Sequence, residues 1–151
     1  MTSTPKDDYQ FDVFISFSEH DYEWVVNTLY HELTKRSVKV SLPDKDFIPG
    51  LSKANEMLRC IDNSQKVMFV VSEMFLKSGW ESYAVQMTVT HAFHNHREGS
   101  MVVLVKDDVP TMRMPEDLRN IWWTLGVIKL SDFESNLGCV WDYITDRLHS
   151  N

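Results

Sequence analysis

Glycine is scarce in this sequence, and the five glycines among its 151 residues are widely scattered. Even the nearest pair, Gly126 and Gly138, lies twelve positions apart. Dinucleotide-binding turns follow the pattern G-x-G-x-x-G and P-loops the pattern G-x-x-x-x-G-K, so the sequence excludes both kinds of phosphate-binding turn. Cysteine is scarce as well, because Cys60 and Cys139 stand far apart and form no C-x-x-C pair. We therefore expect two reduced thiols that pack as small apolar groups, as in intracellular proteins.

Basic residues are outnumbered as well: the sequence has 15 lysines and arginines but 22 aspartates and glutamates, for a net charge of −7. A protein that binds nucleic acid through phosphates needs a basic surface, so we expect no nucleic-acid partner. No apolar run approaches the roughly 20 residues of a membrane span, which argues against direct membrane insertion. The length and the 43% hydrophobic content suit one globular domain, which we place at residues 9–150 behind a flexible leader at residues 1–8.

Short apolar runs alternate along the chain with stretches whose apolar residues recur at helical spacing. The runs predict strands, because buried parallel strands are continuously hydrophobic and rich in β-branched residues. Strands separated by helices indicate a parallel sheet covered on both faces, and right-handed crossovers then give a flavodoxin-like, three-layer α/β/α fold with a five-stranded parallel sheet. The strands are predicted at 11–17, 38–42, 66–72 (the most apolar, hence central), 101–105 and 127–130, and the helices at 19–36, 51–62, 73–95 with an interruption near 78–79, 116–122 and 137–148.

Other functions that occur in this fold lack their residues here. A phosphorelay receiver needs an aspartate after its third strand, whereas the third predicted strand ends in VVS at 70–72. A flavodoxin needs a small-residue phosphate loop after its first strand, whereas SFSEHD at 16–21 is bulky and acidic and would repel phosphate. His91, His94 and His96 lie close together, but no carboxylate or thiol completes a ligand set, so we expect a polar helix end and no metal site.

Four segments resemble the signature motifs of the Toll/interleukin-1 receptor (TIR) domain family, and together they extend over nearly the whole chain. FDVFISFS resembles the opening motif (F/Y)DAF(I/V)SY, DKDFIPG the RDxxPG loop, SEMFLKSGW the SxxFxxSxWC segment and VW the FW box. In that order they occupy residues 11–18, 44–50, 72–80 and 140–141. The departures are Lys45 for the usual arginine, Glu81 where cysteine is common and Val140 for phenylalanine. The sequence DFIPG is most similar to the Toll-like receptor type.

The loop after the second predicted strand has the composition of a projecting interaction site. Pro49 fixes its own φ, and Gly50 permits backbone angles that other residues rarely adopt. Phe47 and Ile48 form a small apolar tip beside three charged residues at 44–46, and an apolar centre with a charged rim is typical of interfaces. From the residues alone, a loop whose Phe47 and Ile48 fold back onto the core is an equal alternative.

The TIR resemblance implies signalling by assembly with other TIR domains in innate immunity and inflammatory responses, in the cytoplasm or on the cytosolic side of a membrane receptor, and without a cofactor. The loop of one copy would dock on another copy, and such head-to-tail contacts can propagate into filaments. The loop residues implied as partner-binding are Asp44, Lys45, Asp46, Phe47, Ile48, Pro49 and Gly50. The residues implied for the opposing surface are Trp80, Glu81, Tyr83 and Gln86.

The alternative that the resemblance leaves open is an NAD-cleaving hydrolase, because some TIR domains cleave NAD with the glutamate of a WxxxE motif. In this sequence that motif begins at Trp80, and its glutamate position is Ala84. The nearest acid, Glu81, would lie about 4.5 Å along the helix axis and about 60° around it from the required position. Catalysis is sensitive to displacements of that size, so we expect no enzyme activity and retain Glu81 only as a weak catalytic candidate. A small-nucleotide sensor is a third possibility.

Overall fold

Five parallel strands form the sheet in the computed structural model of the chain, which describes residues 9–42, 50, 53–79, 101–107, 116, 119, 126–133 and 136–149. The strands are β1 (Phe11–Ser16), β2 (Val40–Ser41), β3 (Ser64–Val71), β4 (Met101–Val105) and β5 (Gly126–Lys129). Their order across the sheet is β2-β1-β3-β4-β5, so the chain adds β2 on one side of β1 and then crosses to the other side. The flavodoxin-like prediction is confirmed, β3 is central, and the topological switch point lies between β1 and β3.

Helical segments connect these strands. The connection after β1 is helical without a break from Glu19 to Lys35 and includes a π-helical tract, in which the Tyr30 N–H donates to the Val25 carbonyl, one residue further along than in an α-helix. This connection is opened by Ser18, whose Oγ accepts a hydrogen bond from the His20 N–H at 3.2 Å. The segments are a 3₁₀ turn (Glu19–Asp21), α1 (Tyr22–Trp24), the π tract (Val25–Leu29), α2 (Tyr30–Lys35), α3 (Lys53–Asp62), a π turn (Phe75–Gly79), a 3₁₀ turn (Leu130–Phe133) and α4 (Leu137–His149).

The core lies on both sides of the sheet, because successive residues of a strand point to opposite faces. On β1, Val13 and Ile15 belong to the cluster that α2, the π tract and α4 cover, whereas Phe14 lies outside that cluster. On the other face, Phe69 of β3 packs against Phe75 with a ring-centroid distance of 6.4 Å. The helical partners of the first face are Val25, Leu29, Leu33, Val140, Trp141, Ile144 and Leu148.

Several element boundaries differ from the predicted ones. The predicted strand 38–42 contracts to Val40–Ser41, because an edge strand has a neighbour on one side only and pairs here with two residues of β1. The strand predicted at 66–72 begins earlier, at Ser64, which is in register with Phe11. The strand predicted at 127–130 is displaced by one residue. Of the helices predicted at 73–95 and 116–122, only residues 73–79, 116 and 119 lie within the described part of the chain.

The two cysteines have different environments, which corrects the prediction that both pack as small apolar groups. Both are free thiols, and Cys60 is fully buried, but Cys139 is exposed on α4. The reason is helical periodicity: Val140, Ile144 and Leu148 form the buried face of α4, and Cys139 lies one residue off that face.

Candidate functional site

The predicted interaction loop leaves the carboxyl end of the edge strand β2 and returns to the start of α3. Its residues Asp44, Lys45, Asp46, Phe47, Ile48 and Pro49 lie outside the described part of the chain. Its two ends are described: Leu42 is buried, and Gly50 adopts a φ of +91° in an exposed turn. Among the described residues, nothing beyond Gly50 and its chain neighbours lies within 4 Å of the position that a Gly50 Cβ would take, so the backbone angle is what favours glycine there. The positive φ is a backbone angle of the kind that the sequence predicts for Gly50, and its part in a partner contact stays a prediction.

The predicted opposing surface cannot be placed in the same way. Trp80, Glu81, Tyr83 and Gln86 lie outside the described residues, as does Ala84 at the position of the family's catalytic glutamate. The described start of that segment, at the end of β3, is anchored by a hydrogen bond from the Glu73 N–H to Asp107 Oδ2 at 3.1 Å.

A buried polar network occupies the carboxyl edge of the sheet at the topological switch point. Asp21 follows β1, Ser72 follows β3 and Lys106 follows β4, so the ends of three strands bring the three side chains together. Ser72 Oγ donates to Asp21 Oδ2 at 2.5 Å, and Lys106 Nζ lies 3.3 Å from Asp21 Oδ1. Asp21 and Ser72 are only 5% and 1% exposed. We call these three residues the switch-point network.

Ser72 and Lys106 of the switch-point network make further contacts within the chain. Ser72 Oγ also accepts a hydrogen bond from the Phe75 N–H at 3.1 Å, which fixes the turn after β3. Lys106 Nζ lies 5.6 Å from the centroid of the Trp24 ring, in cation–π geometry. Each carboxylate oxygen of Asp21 thus has a partner within the network, which braces the ends of three strands.

The switch-point network is a feature that sequence reasoning missed. Ligands of doubly wound sheets bind beyond the carboxyl ends of the strands, near the switch point. The polar residues Ser72 and Lys106 each come directly after an apolar strand, and Asp21 follows β1 by one short turn. That shared position is the signal that could have predicted the contact.

Apolar side chains are exposed at the same edge of the sheet. Tyr22 is 50% exposed and lies against Phe17 with a ring-centroid distance of 6.3 Å. Met74, in the turn after β3, is 37% exposed. Exposed aromatic and methionine side chains are enriched in protein interfaces.

Asp12 of the first motif braces the chain. Its Oδ2 accepts a hydrogen bond from the Lys39 N–H at 2.8 Å and lies 3.7 Å from Nε2 of His149. The carboxylate therefore joins the start of β1 to the approach to β2 and to the end of α4.

The described ranges contain neither a cluster of metal ligands nor a membrane-spanning helix. No three His, Cys, Asp or Glu side chains come together there as metal ligands, and His91, His94 and His96 lie outside those ranges. None of the described helices combines the length and the apolar character that crossing a bilayer requires.

Comparison with known proteins agrees with the geometry. A family model described as TIR domain matches residues 13–137. Toll-like receptor 6 of Homo sapiens is 34% identical over 108 residues, which cover 70% of the chain and 13% of the receptor. Toll-like receptor 2 of Canis lupus familiaris is 34% identical over 104 residues, which cover 68% of the chain and 13% of the receptor. The TIR domain of the Toll-related receptor TRR-2 from Hydra magnipapillata has the same fold, with a TM-score of 0.74 at 20% identity over 93% of the chain and 100% of that structure.

Proposed function

Because the chain belongs to the TIR domain family, we propose that it is a signalling module that assembles with other TIR domains of receptors or adaptors. The observation that carries the proposal is the 34% identity to the Toll-like receptors over about two thirds of the chain. The chain spans only 13% of those receptors, so its place in a receptor or an adaptor, its cytoplasmic location and its part in innate immune signalling belong to the proposal. So does the division into a leader at 1–8 and one domain at 9–150.

The contact is assigned to the loop between β2 and α3. Buried Leu42 and the positive φ of Gly50 fix the two ends of the loop, which supports a defined shape for the segment between them. Phe47 and Ile48 would supply the apolar contact and the charged residues at 44–46 the rim. Trp80, Glu81, Tyr83 and Gln86 would form part of the surface on the other copy. Because each copy carries a charge of −7, assembly would require the high local concentration that clustering supplies.

Self-association measured by sedimentation velocity tests the proposal directly. We expect the wild-type chain to form concentration-dependent oligomers and Pro49→His to weaken them while the circular dichroism spectrum stays unchanged. Asp146→His is the matched control, because it places the same side chain at an exposed position on α4. Equal weakening by both variants would show that the loop is not the contact, and loss of the folded spectrum in Pro49→His would show that Pro49 matters to the fold instead.

The proposal includes the absence of NAD hydrolysis, because alanine at position 84 can neither stabilise an oxocarbenium-like centre nor orient a ribose hydroxyl. We expect no release of nicotinamide at micromolar protein and millimolar NAD. Robust release that Glu81→Ala abolishes would instead favour the hydrolase.

A further inference from the structure

The ammonium of Lys106 lies between two carboxylates at the carboxyl edge of the sheet. Its Nζ is 3.3 Å from Asp21 Oδ1 and 4.0 Å from Asp107 Oδ1. Among the described residues, no other cation lies within 4 Å of either carboxylate. An ammonium carries a full charge and three N–H donors, so a single lysine can serve both acids.

Each of the two carboxylates holds a different residue of the turn that follows β3. Asp21 Oδ2 accepts the hydrogen bond from the Ser72 hydroxyl, whose oxygen in turn accepts one from the Phe75 N–H. Asp107 Oδ2 accepts a hydrogen bond from the Glu73 N–H at 3.1 Å. The turn is therefore held at three of its residues by side chains that the Lys106 ammonium joins.

The position of that ammonium is itself determined from two sides. The Lys106 N–H donates to the Val71 carbonyl at 2.8 Å, which continues the pairing of β3 with β4 up to the turn. On the helical side, the ammonium lies 5.6 Å from the centroid of the Trp24 ring. Trp24 packs in turn against Trp141 of the VW motif, with a ring-centroid distance of 6.4 Å. The strand ladder and the aromatic pair thus hold Lys106 where both carboxylates can reach it.

Loss of this one charge would affect both contacts to the turn. Asp21 is only 5% exposed, and a buried carboxylate is destabilising unless a cation and hydrogen bonds compensate it. Without the ammonium, Asp21 and Asp107 would be two acids at one edge of a chain with a net charge of −7, and like charges repel. The hydrogen bonds to Ser72 and Glu73 would therefore weaken together.

We propose that Lys106 is a positioning residue for assembly with other TIR domains, an inference that rests on the proposed function. The turn at 72–75 leads into the segment that contains the proposed opposing surface at 80–86. By holding the turn through Asp21 and Asp107, the ammonium sets the direction in which this segment leaves the sheet. Lys106 belongs to neither proposed contact surface, so it acts on affinity through the turn.

Amide hydrogen exchange of the dilute protein tests the hold on the turn without assembly. In Lys106→Met we expect the Glu73 and Phe75 amides to exchange about tenfold faster, the ratio that corresponds to the loss of one hydrogen bond. Lys106→Arg keeps the charge and should restore the wild-type rates. Lys129→Met is the matched control, because it removes an exposed lysine at the end of the neighbouring strand β5 and should leave both rates unchanged.

Sedimentation velocity then measures the assembly step. We expect Lys106→Met to raise the dissociation constant of self-association by roughly 2- to 30-fold, the usual size for residues that act through their neighbours, and Lys106→Arg to keep the wild-type value. Ile144→Val is the stability control, because it destabilises the buried core at α4 without touching the turn and should leave association unchanged.

The possible failures are distinguishable. A wild-type chain that does not self-associate would overturn the proposed function together with the assembly role of Lys106. Unchanged association in Lys106→Met, or weakening equal to that in Ile144→Val, would overturn the positioning role alone, and unchanged exchange rates would overturn the hold on the turn. If Lys106→Met does not fold, Asp107→Ala takes its place: it removes the acceptor of the Glu73 N–H at a partly exposed side chain, and the same two measurements should change.

Discussion

Removing the Asp21 carboxylate should destabilise the protein substantially, because Asp21 is the centre of the switch-point network. The buried hydrogen bond from Ser72 is made to a charged acceptor, a class whose net contribution is about 1.5–3 kcal/mol. The ion pair with Lys106 adds about 0.5–1 kcal/mol, since the lysine side chain is partly exposed. We therefore expect Asp21→Ala to lower the free energy of unfolding by about 2–4 kcal/mol, which corresponds to a Tm lower by roughly 5–15 °C in a domain of this size.

The assay is urea unfolding followed by circular dichroism and tryptophan fluorescence. Glu23→Ala is the matched control, because it removes an exposed acid two residues away and should change stability by less than about 0.5 kcal/mol. A double-mutant cycle with Ser72→Ala should give a coupling energy of about 1–2 kcal/mol between the two side chains. If Asp21→Ala were as mild as Glu23→Ala, or if the coupling energy were zero, the reasoning that this network holds the strand ends together would be refuted.

Three further predictions concern single residues. Gly50→Ala should lower the free energy of unfolding in urea by about 1–2 kcal/mol, because an L-residue is strained at a φ of +91°, and Gly50→Asn should be milder. Ser41→Ala should leave stability unchanged or raise it by up to about 1 kcal/mol in the same assay, since the buried Ser41 hydroxyl has no hydrogen-bond partner among the described residues; a loss above that size would contradict this. Lys66 of β3 is only 7% exposed, so Lys66→Met should raise the free energy of unfolding at pH 7 by roughly 1–2 kcal/mol. Burial lowers the pKa of Lys66 in the folded state, so between that pKa and 10.5 the unfolded chain binds more protons than the folded chain. In that window the free energy of unfolding of the wild type should therefore rise with pH relative to that of Lys66→Met.

Apolar runs and helical spacing predict most of the fold because burial determines both. The run at 101–105 coincides with β4 at both ends, since that strand is buried throughout and bounded by polar residues. Edge strands are predicted less well: Val38 and Leu42 are as apolar as strand residues, but they are buried by packing and not by pairing in β2. Sequence indicates that such residues are inside, and the number of neighbouring strands determines whether they pair.

The candidate site likewise combines a feature that the local sequence predicts with contacts that depend on the order of the strands. The requirement for glycine at position 50 follows from local chain geometry, and it could be predicted from the sequence DFIPG. The contacts of Asp21 with Ser72 and Lys106 join residues 51 and 85 positions apart, so no local pattern contains them. They follow only once the order of the strands is known, because the order decides which strand ends are neighbours.

The π-helical tract at Val25–Leu29 makes the helical connection after β1 unusually sensitive to a change in length. The wide turn accommodates one residue more than an α-helix would over the same rise, and each residue of an α-helix corresponds to a rotation of about 100°. Deleting one residue from this tract would convert it to regular α-helix and rotate everything on its amino-terminal side, including Trp24, relative to α2. Insertions and deletions in this segment should therefore be selected against more strongly than substitutions at its exposed positions, although the tract contains no residue of the switch-point network.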